Sequence, residues 1–303
     1  MKKLDTNFEG ITDTTGYLFS FAKCLSAALN CGGFQAYTEE IVASSGFAFR
    51  MWAAEDLCPS AMSIWEFKQQ GPWVENGGIT CNYVERLWGQ EDLEEERRSE
   101  AVQMIQESID QGVAAVVWDL SGSEWGLATG YDEGKQIFYT LKINGNEEQI
   151  SYTQLGKLSI PILSVLTITG RTNKDSGQIV ADTKALATNH LRGKEWCDNA
   201  SGLAAYDTII RFIQEKLDSE SAWNLEYYLG TYAALKWYAW KFFEKYQENE
   251  LAELYKNVYQ SWQEAFDAKC SSDVTEEAVR TKIAGLLKQA KEAEAQAVEI
   301  MEL

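Results

Sequence analysis

Three carboxylates and two tryptophans crowd one stretch of this chain. Trp118-Asp119 closes the apolar run VAAVVWDL, and Glu124-Trp125 opens EWGLATGYD, which ends at Asp132. Two carboxylates flanking a pocket can divide acid and base work between them, as in glycoside hydrolysis. The same groups can instead bind, because an acidic mouth lined by Trp118 and Trp125 suits an amine or polyamine through charge and cation–π attraction. A third arrangement needs no ligand: a sheet core of tryptophan with solvated acids at its rim. Of the two chemistries, binding fits better, and Trp118, Asp119, Trp125 and Asp132 are the candidate substrate contacts. The chain's one histidine, His190, precedes Leu191-Arg192-Gly193, which reads as a helix C-terminus where an imidazolium meets the negative end of the dipole. The six cysteines form no C-x-x-C pair, so with a single histidine no zinc site is expected. The glycine pairs Gly32-Gly33 and Gly77-Gly78 match no phosphate-loop spacing, and no cofactor is called for.

Composition limits the partners. The chain has 303 residues, 45% of them hydrophobic and 12% aromatic, with a formal net charge of −19. Such a field repels nucleic-acid backbones and anionic membranes and attracts cations, so nucleic acid and membrane are not expected partners. A small-molecule or peptide ligand, cationic by charge complementarity, is. No signal-peptide pattern follows Met1-Lys2-Lys3, no run approaches a membrane span, and unstapled cysteines suit reduced thiols, so the expected location is the cytoplasm.

The elements that must hold these residues fall into two groups. YLFSFAKCLSAALN (17–30) reads as a helix stopped by Cys31-Gly32-Gly33, with a second short helix over 34–43. FAFRMW (47–52) is strand or turn, and 53–80, with two prolines and a Gly-Gly pair, is expected to be mostly loop. A charged helix over 91–111 carries Val102, Ile105 and Ile109 on one face. Then come a strand over 113–120, a hairpin of 124–132 with 135–143 turning at Asp132-Glu133-Gly134, and a strand over 160–168. This is an α+β order over residues 1–170. The polar segment 171–178 is a fair boundary, and 178–303 reads as an all-α helical bundle. Its stripes include Ala204, Ile209, Phe212 and Ile213, then Leu225, Tyr228, Tyr232, Leu235, Ala239, Phe242 and Tyr246, then Leu251, Leu254, Val258, Trp262 and Phe266. A last helix opens at the capping-box pattern Asp273-Val274-Thr275-Glu276.

The order of FAKCLSAAL on a first helix, SSGFAF in a loop, GVAAVVWDL and then EWGLATGYD resembles a papain-like layout. More closely, with the later GLAAY at 202–206, it is similar to proteins related to the N-terminal domain of butirosin biosynthesis protein H, and more distantly to double-glycine cysteine peptidases. The resemblance implies a papain-like helix-plus-sheet fold and an acyltransferase or amide hydrolase in which a cysteine on the first helix attacks a thioester or amide. Cys24 stands at the place of that nucleophile, Cys31 is a lesser candidate, and backbone N–H groups near Cys24 would serve as oxyanion donors. The family's histidine, six residues before Gly130, is replaced by Glu124. A carboxylate beside a thiol disfavours the thiolate, so a Cys24–Glu124 pair is a poor copy of a Cys–His dyad. Either the chemistry survives through Glu124, or His190 reaches the site, or the cleft of a non-catalytic descendant binds a small cationic molecule or a peptide. Lys23 is the nearest positive charge in sequence to Cys24.

Overall fold

The computed structural model describes residues 1–63 and 65–303; residue 64, inside the segment expected to be loop, lies outside the described residues. In chain order the elements are β1 (Lys2–Lys3), α1 (Ser20–Cys31), α2 (Glu40–Ser44), β2 (Trp52–Ala53), α3 (Gln70–Asn76), β3 (Ile79–Arg86), α4 (Glu94–Asp110), β4 (Ala115–Val117), β5 (Gly126–Asp132), β6 (Ile137–Lys142), β7 (Glu147–Ser151) and β8 (Leu163–Arg171). There follow α5 (Ser176–Leu191), β9 (Ala200–Ser201), α6 (Leu203–Glu215), α7 (Ala222–Lys245), α8 (Asn249–Ser271) and α9 (Glu277–Met301). The protein is thus mixed helix and antiparallel sheet with a helical C-terminal part. Among the described residues no helix is long and apolar enough to cross a membrane. The chain divides into two compact units, one of residues 1–12, 20–41 and 67–174, the other of 13–19, 42–66 and 175–303.

In the first unit an antiparallel sheet runs in the order β3-β8-β4-β5-β6-β7, with β1 added to the far end of β5. Alternation along the strands sorts side chains to two faces. On one face Val84, Ala115, Val117, Ala128, Phe138 and Val165 pack against Ala101, Ile105 and Ile109 of α4. Three glutamates in the first turn of α4, Glu94 to Glu96, complement its dipole, and Gly112 follows its end at φ +87°. On the other face α1 lies over β4 and β5 while α3 lies over β3. α1 is not amphipathic in the usual sense: Phe21, Cys24, Leu25, Ala27, Ala28 and Leu29 are all buried, together with Ser20 and Ser26. Gly130 leaves room for β1, since a Cβ there would lie 2.6 Å from the Lys2 carbonyl oxygen.

The expected loop over 53–80 contains α3 and the start of β3. Pro72 is compatible with α3 because it sits in the first turn, where backbone N–H groups have no intrahelical partner to lose. The strand expected over 113–120 is confined to Ala115–Val117, because Asp119 turns the chain with φ +64°. In 47–52 the backbone turns, with Phe49 N–H and Arg50 N–H both on the Gly46 carbonyl, before Trp52 enters β2.

In the second unit α7, α8 and α9 pack in succession and α6 closes on α9. Leu225, Tyr228, Tyr232, Leu235, Ala239 and Phe242 are buried as their spacing requires, whereas Ala204 is exposed and Ala205 and Tyr206 face the core. The capping box expected at 273–276 does not form. Asp273 takes Thr275 N–H and Thr275 Oγ1–H, both at 2.8 Å, and α9 starts only at Glu277. A true capping box occurs elsewhere, between Ser151 and Gln154. β2 and β9 form a short ladder, Trp52 opposite Ser201.

Candidate functional site

The loop from Trp118 to Glu124 is tied down at nearly every residue. Trp118 N–H donates to the Ser164 carbonyl at 3.0 Å. Asp119 uses both carboxylate oxygens on backbone: Oδ1 accepts from Ser123 N–H at 2.6 Å and Oδ2 from Ile160 N–H at 2.7 Å. Ser121 Oγ accepts Ile143 N–H at 2.9 Å. Asp119 and Ser123 both have positive φ, +64° and +63°, a conformation that non-glycine residues hold only when neighbours over-determine it. This frame delivers Glu124 to the first residue of α1. The Ser20 hydroxyl donates to Glu124 Oε2, and Trp125 N–H donates to Ser20 Oγ at 3.3 Å. Ser20 is buried and Glu124 half-buried. Ser20 has no part in the sequence reading. The signal was available, since serine favours helix starts, but periodicity extends the helix back to Tyr17 and so places Ser20 inside it.

Cys24 lies one turn along α1 from Ser20 and has no exposed surface. Burial drives its thiol well above the ordinary thiol range; the Lys23 charge opposes this and the Glu124 charge reinforces it. The Lys23 ammonium sits 5.6 Å from the Phe8 ring centroid. Cys31, at the other end of α1, accepts Thr6 Oγ1–H at 3.0 Å and is directed at the Gly112 carbonyl at 3.4 Å.

Trp118 and Trp125 pack on each other edge to face at 5.1 Å, with Phe67 at 6.0 and 5.7 Å and Phe21 at 4.9 Å from Trp125. Both indoles are buried in the layer between the sheet and its helices. Asp132 is at the other end of β5, about 20 Å from the Glu124 end at a strand's rise per residue. Its carboxylate accepts Lys135 N–H at 3.2 Å within its own turn. The structure therefore brings together Ser20, Glu124, Trp125 and Trp118, keeps Asp119 as a loop brace beneath them, and leaves Asp132 apart. Among the described residues no group of three or more His, Cys, Asp or Glu side chains is placed to hold a metal.

His190 is engaged within the second unit. Its Nδ1 lies 2.9 Å from Glu195 Oε2, and Nε2 accepts Met51 N–H at 2.7 Å, an arrangement satisfied by the neutral imidazole with the proton on Nδ1. Burial lowers its pKa; Glu195 opposes and Arg50 adds to that fall. Arg50 grips Glu195 with two parallel bonds of 2.9 and 2.8 Å and donates to the Ser45 carbonyl at 2.6 Å. A second buried pair joins Lys236 of α7 to Glu294 of α9 at 2.6 Å, neither side chain being exposed. Tyr206 of α6 donates to the same carboxylate at 2.8 Å, and Trp262 of α8 donates to Tyr206 Oη at 2.9 Å.

The chain matches no protein-family model and no curated protein.

Proposed function

We propose that the first unit is a non-catalytic descendant of a papain-like cysteine enzyme, which binds a small cationic molecule at Glu124. The observation that carries this reading is the state of Cys24: wholly buried, with burial holding the thiol protonated and Glu124 adding negative charge against the thiolate. Glu124 itself takes the hydroxyl of Ser20 at the head of α1. A carboxylate is far too weak a base to generate an alkoxide from that serine, so the pair is suited to holding a donor in place and not to activating a nucleophile. A half-buried carboxylate in a chain of net charge −19 favours an amine over any anion. The sequence order of helix, loop and strands, which resembles a papain-like layout, is what supports descent from an acyltransferase or amide hydrolase.

Two measurements test the reading together. Peptide-mapped iodoacetamide labelling of the folded protein between pH 7 and 9 is expected to modify exposed Cys270 and to spare Cys24. Spermidine titration followed by tryptophan fluorescence is expected to show saturable binding that Glu124→Gln weakens at least tenfold. Selective labelling of Cys24 below pH 7.5 would instead restore the acyl-transfer enzyme, and an unchanged spermidine affinity in the variant would remove Glu124 from the site.

A further inference from the structure

Resting on the amine-binding reading, we infer that the ligand carries an amide group beside its cation, recognised by the side chain of Gln70 together with the indole N–H of Trp118. Gln70 opens α3 and is fully buried, yet neither its Nε2 nor its Oε1 has a hydrogen-bond partner among the described residues. Trp118, 5% exposed, likewise has no partner for Nε1 among them. Both belong to the first unit. Phe67, one turn before Gln70, packs on Trp118 and Trp125, and Trp125 N–H reaches Ser20, which holds Glu124. The next residue, Gly71, lies over β3, where a Cβ would be 3.6 Å from the Cβ of Tyr83. Tyr83 donates to Glu85 at 2.9 Å and shares a hydrogen bond of 2.9 Å with Ser164, whose carbonyl receives Trp118 N–H.

A buried carboxamide with both ends unmade is among the costlier features a fold can keep. Its chemistry specifies what would satisfy it. The NH₂ group donates and the carbonyl beside it accepts, so a primary carboxamide, whose one N–H is syn to its carbonyl, can meet both at once, leaving that amide's remaining carbonyl lone pair for the Trp118 indole. A carboxylate would leave Gln70 Oε1 unmatched and meets the charge of Glu124. A bare amine would satisfy Oε1 alone. A hydrophobic ligand would leave all three atoms unmade. A primary carboxamide next to an ammonium answers all three atoms.

The test uses the full chain and two probes, lysinamide and cadaverine, which share the same two amines and differ by the carboxamide. By calorimetry the wild type is expected to bind lysinamide at least tenfold more tightly than cadaverine. Gln70→Leu is expected to abolish that preference while leaving cadaverine affinity within twofold, and Trp118→Phe, which keeps an aromatic ring, to reduce it. Without ligand, Gln70→Leu is expected to melt at or above the wild-type temperature, since an apolar side chain relieves the unmade bonds. A wild type that binds both probes equally, or a Gln70→Leu protein that keeps the preference, would overturn the inference and leave the amine site standing. A Gln70→Leu protein that melts several degrees lower would also overturn it, by showing that Gln70 serves the fold. If neither probe binds the wild type, it is the amine-binding reading that falls, and this inference falls with it.

Discussion

Ser20 and Glu124 are separated by a hundred residues of chain, and their hydrogen bond is where helix α1 meets the sheet. Its contribution can be read apart from any ligand. Removing the hydroxyl takes one hydrogen bond from a half-buried carboxylate and one from the Trp125 N–H, so Ser20→Ala is expected to lower unfolding stability by about 1–3 kcal/mol. Urea denaturation of the two proteins at pH 7 checks this; a change below a few tenths would mean that water replaces the hydroxyl without loss. Cys24, by contrast, behaves as a small apolar side chain, and Cys24→Ala is expected to fold and to bind spermidine as the wild type does. The candidate carboxylates were legible as residues but not as a set. Sequence places Asp119, Glu124 and Asp132 at strand ends, and a strand has two ends: β5 carries Asp132 away from the others, while the positive φ of Asp119 turns its carboxylate onto its own loop.

At the scale of elements the second unit is organised by charges inside an apolar bundle. Each of α6, α7, α8 and α9 gives one group to a single network: Tyr206, Lys236, Trp262 and Glu294. Burying such a pair contributes little net stability against well-packed apolar replacements, but losing one member leaves the other charge stranded. Lys236→Met is therefore expected to destabilise by about 3–5 kcal/mol, and Lys236→Met with Glu294→Leu to recover most of that, a coupling measured by a double-mutant cycle in denaturant. Equal losses in the single and double variants would show that the two side chains do not act as a pair. A second constraint sits at Gly46, whose φ of +85° and closeness to Arg50 leave no room for a side chain: a Cβ would lie 2.2 Å from Nη1. Trp262 stands in an expected stripe and is buried, but the two charged members of the network were not legible. Lys236 lies in ALKWYAW and Glu294 in EAEAQ, patterns that fit exposed helix positions equally well, and only the packing of four helices decides that they face inward.

At the scale of the whole chain, one route by which pH acts on stability is the Arg50–Glu195–His190 cluster. Burial alone would raise Glu195, but the charge of Arg50 and its hydrogen bonds to His190 and Arg50 bring it down from 4.5 to about 2. Burial lowers His190 from 6.5. Both folded-state pKa values lie below their unfolded ones, so both contributions are fully present above the unfolded values and are lost as pH falls. Stability is expected to be flat from pH 8 to 7, to decline from about 6.5 as unfolded His190 takes up a proton, and to fall further between 4.5 and 2 as Glu195 does. Melting temperatures across this range test the sign, and His190→Gln should remove the first decline while keeping the second. A protein that is as stable at pH 5 as at pH 8 would contradict it.

What the amino-acid sequence determined by itself was whatever local pattern controls. The charge of −19, the buried stripes of α4 and α7, the turn at Asp132-Glu133-Gly134 and the helical character after residue 175 all follow from periodicity, composition and turn chemistry within short windows. Tertiary structure alone decided which polar groups meet. Ser20 finds Glu124, Arg50 finds Glu195, Lys236 finds Glu294, and Gln70 finds no partner among the described residues, because each outcome depends on segments brought together by packing over long separations. It also decided the fate of Cys24. Its place on a first helix before two glycines is a matter of sequence, but the layer of sheet and helix that buries it, and so holds its thiol protonated, is not. Solvent access is a property of neighbours in space, and it sets whether a cysteine is a nucleophile or part of the core.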